Sequence, residues 1–598
     1  MTTAWRLTAI LLLGNFPSWP CEFWEGQLRG SREGFEKSRH LTAGNVCING
    51  SEIHNSNRVG SNACFASKLG DKCEYQCNQG YIAIGNHVCQ SLDISGALYF
   101  NHTFFGGVCY RLCEPDLECS GDTVPFRWFS AASDGGYGQC LETRCKSKDH
   151  ALLDLAEGNY NLWRVARSDR SGVYVDHVSF DKSKQMGVLP GQNNYQGSTD
   201  TSGLGLMMEC IADSMQWIDH SEFIDRVNVT LSAFANKLDG DWHLPRSSAG
   251  WLPRYFHVLS GEPFPTTEGG EWSVMATGLF YAGAMFVRTY LSQHDTSAAD
   301  QYLINLVDDM VKTVSWEKMM CAQQFDSAAN KTIAVSAAPN DTHATGIPYL
   351  QSETGVCSNI LWPTADGTYD FNEMMPTLWL AYNFACRGQL GNCTNVALEN
   401  AWNAWQKIRY NPSTRWNGKK LLSEWSCYVV QFPFYTTNAF ISDPVWVDGF
   451  KNMWQADQDD YSSRAFYAGD IRYGLGAGPT IPWCAAGETY TADKLQMNPN
   501  TTDCRMWSPY CIGGYLPANQ DYISGQLFQL LAQGESVLLL PDFVTHREIH
   551  ILGRKSLLVP TWNESDWVTM VDLSSELLGL STIWLGDKFF KTNTNHFA

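Results

Sequence analysis

Residues 203–238 read GLGLMMECIADSMQWIDHSEFIDRVNVTLSAFANKL. Apolar residues recur there at intervals of three and four, which places them along one face of a helix. The pattern breaks at Trp217-Ile218-Asp219 and then resumes, so the stretch predicts a helix, a turn and a second helix. The same unit returns downstream. Residues 271–294 (EWSVMATGLFYAGAMFVRTYLSQH) predict a long apolar helix, and residues 299–316 (ADQYLINLVDDMVKTVSW) an amphipathic one. Residues 371–388 and 395–410 make another pair, and residues 463–475 and 523–534 add further helical stretches. A helix that is apolar all round must be covered on every side. Repeated hairpins of one apolar and one amphipathic helix therefore predict a mainly α fold, with inner helices enclosed by outer ones in an (α/α) barrel over residues 151–598. The connecting loops are long and rich in Trp, Gly and Pro, and long ordered loops are usually functional.

The N-terminal part has a different texture. Of 20 Cys, eleven lie in residues 1–145, and the chain has no Cys-x-x-Cys pair. That usage excludes a cytosolic protein with zinc knuckles and fits an oxidising compartment. Eight Asn-x-Ser/Thr sequons, at Asn49, Asn101, Asn228, Asn330, Asn340, Asn392, Asn500 and Asn563, point the same way. Arg6 followed by the apolar run Leu7–Leu13 predicts a signal peptide over residues 1–20, too short to span a bilayer. Residues 21–150 read as a Cys-rich unit held by disulfides, since a segment with little apolar core needs cross-links. Within it, CEYQCNQGYIAIGNHVC (residues 73–89) resembles part of a sushi or EGF-like module. Each region holds an odd number of Cys, so either one bridge crosses between them or a thiol stays free. The expectation is a secreted or lumenal monomer without membrane insertion. The net charge of −20 excludes nucleic acid as a partner. With 23 Trp, 25 Tyr and 29 Phe, rings are abundant enough to fill a core and also to line a groove for sugars.

Several segments, in order, resemble the glycoamylase-like domain shared by endo-β-1,2-glucanases and cyclic β-1,2-glucan synthases. DTSGLGLMMECIADSMQWIDHSEFIDRV resembles its first hairpin, and GWLPRYFHVLSGEPFPTTEGGEWSVMATGLFYAGAMF its aromatic segment and following helix. YDFNEMMPTLWLAY resembles a Tyr-Asn-Glu-Ala helix, DPVWVDGF a Trp-x-Asp motif, and SSRAFYAGDIRYGLGAGP an Arg-Ala segment with a Gly-Leu loop. GGYLPANQDYISGQL and WVTMVDLSSELLGLSTIW resemble the closing segments. No single motif is specific; their order over residues 190–590 is. The resemblance implies an (α/α) six-hairpin toroid and a glycoside hydrolase that cleaves β-glucan, most closely an endo-acting, inverting enzyme on β-1,2-glucan. No cofactor and no metal are expected.

Glycoside hydrolysis needs one carboxylic acid for the leaving oxygen and one carboxylate for water or the anomeric carbon. By resemblance Glu373 is the general acid. It opens an apolar helix beside Met374, Met375 and Trp379, whose desolvation would favour its protonated form. The spacing Asp370-x-x-Glu373 equally fits a capping box. Asp572 matches the family's base, which acts through a substrate hydroxyl and a water; a helix N-cap is the alternative. Leu573-Ser574-Ser575 stands where the family has Gln-Gly-Pro, and Asp566 and Glu576 are the neighbouring carboxylates to which the match can slip. Glu271 matches a family Glu and is a substrate-binding candidate, but Ala276 stands where a second carboxylate is expected. Asp448 matches another family Asp. Trp362, Trp446, Trp454, Arg472 and Tyr473 are candidates to stack on or hydrogen-bond a glucan, although each also reads as packing.

No HExxH, P-loop, GxSxG or GxGxxG-helix pattern is present, so zinc, nucleotide and serine-hydrolase chemistry are not expected. Two classes of function remain. One is a glycoside hydrolase acting through Glu373 and Asp572. The other, motivated by Ala276 and the altered loops, is a non-catalytic glycan-binding or structural protein on a degenerate barrel.

Overall fold

The computed structural model describes residues 139–179, 196–265, 270, 272–293, 297–316, 375–387, 402, 415–463, 471–480, 490–495, 506–533, 549–556 and 567–597, together with short strands elsewhere. Residues 1–20 and most of 21–150 lie outside the described residues.

The described part is mainly helical. Its helices are α1 (Lys148–Ala166), α2 (Thr199–Ser214), α3 (His220–Phe234), α4 (Val274–Leu291), α5 (Ala298–Val311), α6 (Met375–Tyr382), α7 (Tyr428–Thr436), α8 (Asn438–Ile441), α9 (Pro444–Ser463), α10 (Pro509–Gly514), α11 (Gln520–Ala532) and α12 (Met570–Asn593). Local chemistry sets several of their starts. Asp219 ends the break seen in the sequence and accepts from Glu222 N–H at 2.7 Å, starting α3. Ser297 and Asp300 form a reciprocal capping box on α5.

α2, α4, α6 and α10 are buried on all sides, which is why their sequences are apolar nearly all round. α2 packs on α4, α4 on α6, α6 on α7, α10 on α12, and α12 on α2. α7 is joined to α10 by the Cys427–Cys511 disulfide, by Gln431 Nε2 donating to Cys511 O at 2.9 Å, and by Tyr435 OH donating to Gly514 O at 2.6 Å. Glycines let the backbones touch. A Cβ on Gly283 would meet Gly203 O at 1.9 Å, and one on Gly579 would meet Gly513 O at 1.9 Å. These contacts also fix the direction. Gly203, near the start of α2, abuts Phe280 of α4, and Gly278 of α4 abuts Thr377, near the start of α6. The helices therefore begin at one common end. The amphipathic α3 and α5 cover α2 and α4 from outside, α9 covers α7, and α1 lies across α12 and α2.

Short strands gather at the end where these helices begin. His177–Ser179 pairs with Trp567–Thr569, which leads into α12, and Gln196–Ser198, which leads into α2, pairs with Tyr255–His257. Ala477–Pro479 pairs with Tyr490–Ala492. The expected helix over residues 463–475 does not extend through its described end: residues 471–476 are non-helical. There Asp457 accepts from Gly474 N–H at 3.1 Å and from Leu475 N–H at 2.9 Å, and Gly474 adopts φ 126°, a backbone turn that suits glycine. α12 is interrupted at Gly586, with φ 66°, and beyond it Phe597 packs on Trp379 and Phe384. Among the described residues Cys210 is a free, buried thiol. No described helix is long and apolar enough to cross a membrane.

Candidate active site

Asp572 lies on the first turn of α12, after the N-cap residue Thr569. Its carboxylate does not cap the helix. Both oxygens face the Tyr490 hydroxyl, which donates to them at 3.0 and 2.8 Å. The side chain is buried. Burial pushes its carboxyl up to about 7; Asp176 and Asp200 add to the rise, while the Tyr490 hydroxyl and the Arg554 guanidinium oppose it. Burial together with the Asp572 charge raises Tyr490 well above the usual phenol range, so it remains a donor.

The surrounding groups come from neighbouring junctions. Asp200 is buried on the first turn of α2. Ser198 Oγ donates to it, and so does Thr201 N–H, at 2.9 Å. Burial raises its carboxyl, against the pull of Arg254. Asp176 sits just before the strand His177–Ser179, between them: its N–H donates to Gln196 O at 2.9 Å, and its carbonyl accepts from Met570 N–H at 2.9 Å. Arg554, fully buried, grips Asp493 with two bonds of 2.6 and 2.9 Å and donates to Ser508 Oγ at 2.7 Å and Pro479 O at 3.2 Å. A buried guanidinium requires such saturation. It fixes the strand that presents Tyr490 to Asp572. Glu576, one turn along α12, accepts from Asn159 Nδ2 at 2.8 Å and from Leu552 N–H at 3.2 Å, so its carboxylate ties α12 to α1.

The structure brings one sequence-selected residue, Asp572, into this cluster. Glu373, Glu271 and Trp362 lie outside the described residues, as does Asp566. Asp448 is exposed on the first turns of α9, where the Trp-x-Asp motif opens a helix. Trp446 is buried edge-on against Phe440, with centroids 4.6 Å apart. Trp454 Nε1 donates to Tyr473 OH at 2.8 Å, and that hydroxyl donates to Gln526 Oε1 at 2.9 Å. Both rings are buried, at contacts between α9, the 471–476 segment and α11. Arg472, just before, is partly buried. Ala276 is buried in α4, its N–H capped by Ser273 Oγ at 3.1 Å.

Tyr490, Asp176, Asp200, Arg554 and Asp493 were not selected from the sequence. Asp200 carried one signal, as a carboxylate at the start of an expected inner helix. Arg554 carried another, as one of two adjacent cations in the otherwise largely apolar run ILGRKSLLV, which must find a carboxylate if buried. Chemically, a buried carboxyl that titrates near neutrality can take up or release a proton at physiological pH. No group of three or more His, Cys, Asp or Glu among the described residues could hold a metal ion.

No protein-family model matches the sequence, and no curated protein does. Solved structures do match the fold. An endo-β-1,2-glucanase from Chitinophaga pinensis, in complex with sophorotriose and glucose, aligns with TM-score 0.53 and 13% identity over 74% of this chain and 95% of its own. A glucoamylase-like protein from Bacteroides caccae aligns with TM-score 0.53 and 14% identity over 74% of this chain and 96% of its own. A β-1,2-glucanase from Parabacteroides distasonis aligns with TM-score 0.51 and 12% identity over 88% of this chain and 73% of its own. The chain thus has the helical fold found in glucoamylase-like and β-1,2-glucanase proteins.

Proposed function

We propose that the protein is a glycoside hydrolase acting on glucan, with its helices closed into a six-hairpin (α/α) toroid and its active site at the end where the inner helices begin. The observation that carries this reading is Asp572. It is a buried carboxyl, pushed up to about 7 and held by Tyr490 on the first turn of α12, in the fold of β-1,2-glucanases. A general base works best when its pKa lies close to the working pH. In the proposed reaction Asp572 is the base. Its ionised carboxylate takes a proton from the attacking water, relayed through a substrate hydroxyl, and water attacks the anomeric carbon with inversion. Glu373, two residues before α6 in the sequence, is the acid that protonates the leaving oxygen. Glu271 and Trp362 are candidate substrate contacts by resemblance alone. Trp446, Trp454, Arg472, Tyr473 and Asp448 could act only at the margin of such a site, given the packing or exposure described above.

The proposed substrate is β-1,2-linked glucan, cleaved internally, because two of the structural neighbours are β-1,2-glucanases. The Cys427–Cys511 bridge supports a secretory or extracellular location. A non-catalytic glycan-binding protein is the competing reading, favoured by Ala276 at the position where a second carboxylate is expected. Glu373→Gln separates the two. Hydrolysis lost with glucan binding retained supports the enzyme; identical behaviour of wild type and variant in hydrolysis and binding supports the binder.

A further inference from the structure

Asp200 stands outside the acid and base assignments, yet the backbone delivers it across one segment from Asp572. The segment Tyr174–Ser179 runs between two others. On one side Ser198 N–H donates to Tyr174 O at 3.0 Å and Asp176 N–H to Gln196 O at 2.9 Å; on the other Met570 N–H donates to Asp176 O at 2.9 Å and His177 pairs with Thr569. Asp200 follows Ser198 by two residues, and Asp572 follows Met570 by two. Two strand-to-helix junctions, flanking one central segment, thus each set a buried carboxylate on the first turn of an inner helix. Asp200 is held in place by Ser198 Oγ and Thr201 N–H, and Arg254 faces it.

We propose that Asp200 is a positioning residue that acts through Asp572, its carboxylate being a like charge against which Asp572 gives up its proton. The proposal rests on Asp572 as the base and adds what sets the pH at which it becomes one. The other groups facing Asp572 are the Tyr490 hydroxyl, Asp176 and the Arg554 guanidinium, the last already engaged by Asp493. Tyr428 and Tyr510 face Tyr490 in turn. Asp176 and Arg254 face Asp200. A like charge nearby disfavours ionisation. Removing the charge of Asp200 therefore lets Asp572 ionise at lower pH and moves the acidic limb of the activity profile downward.

Asp200→Asn removes the charge and keeps an oxygen to accept from Ser198 and Thr201. The Asp572 midpoint is read by carbon NMR on protein labelled at the aspartate carboxyls, with Asp572→Asn identifying the resonance. The midpoint is expected to fall in D200N, to return in D200E, and to carry the acidic limb of kcat/KM with it. An unmoved midpoint in folded D200N overturns the proposal. If D200N does not fold, the wild-type curve decides. A coupled pair gives Asp572 a second inflection where Asp200 titrates, and a single-step curve overturns the coupling. Protonation is read without turnover, so the two ideas fail separately. A shifted midpoint in a protein inactive on glucan sinks the hydrolase reading alone; an unmoved midpoint in an active one sinks the role of Asp200 alone.

Discussion

Asp572→Asn should abolish hydrolysis and at the same time stabilise the protein above neutral pH. The wild-type carboxyl is raised on folding from its ordinary 3.8 to about 7, so the folded state binds this proton more tightly than the unfolded chain. The stabilisation from that proton is complete below the unfolded value and is lost as pH rises from about 4 to about 7. The whole difference corresponds to about 4 kcal/mol, at 1.36 kcal/mol for each pH unit between the two values. Asparagine is neutral at every pH, has nearly the same shape, and still offers an oxygen to the Tyr490 hydroxyl. The stability of the variant relative to wild type should therefore grow by about 4 kcal/mol between pH 4 and pH 8. Urea unfolding at a series of pH values measures this as a widening gap in midpoint at constant slope. A gap that stays flat with pH would refute the burial argument, and a variant that still hydrolyses glucan would refute the role.

Three further outcomes follow from the packing. Replacing Cys427 and Cys511 by Ser removes a bridge between residues 84 apart and should cost about 2–4 kcal/mol, measured as a lower urea midpoint. Arg554→Met leaves Asp493 buried without its partner and should cost about 3–5 kcal/mol; adding Asp493→Asn should recover part of it in a double-mutant cycle. Gly203→Ala places a Cβ 2.4 Å from the Cα of Phe280 and should lower stability by about 1–3 kcal/mol, whereas Gly525→Ala in α11 meets nothing within 4 Å and should be neutral or stabilising by up to about 1 kcal/mol.

The helices were legible wherever their sequence carried its own period. The break at Trp217-Ile218-Asp219 became the α2–α3 turn, and residues 271–294 contain α4. The stretch after α9 was not legible, because its turn is set by the Asp457 carboxylate, a tertiary partner that no local pattern reveals. The site divides in the same way. The sequence singles out Asp572 because it stands at the start of a helix within an ordered set of motifs. Its environment is not legible there. Tyr490 lies 82 residues away and Asp200 arrives through strand pairing, and neither spacing is visible in one dimension. The Trp and Tyr residues of α9 and its following segment show the limit from the other side. An aromatic that packs and one that stacks on a sugar read alike in sequence, and only burial with a satisfied hydrogen bond, as in Trp454 and Tyr473, tells them apart.

The central claim is tested most directly by incubating the purified protein with linear β-1,2-glucan, alongside β-1,3-, β-1,4- and α-1,4-glucans, and analysing the products. The account predicts short oligosaccharides from the β-1,2 substrate, absent with Glu373→Gln and with Asp572→Asn. Folded wild-type protein that releases nothing from any of the four would contradict it.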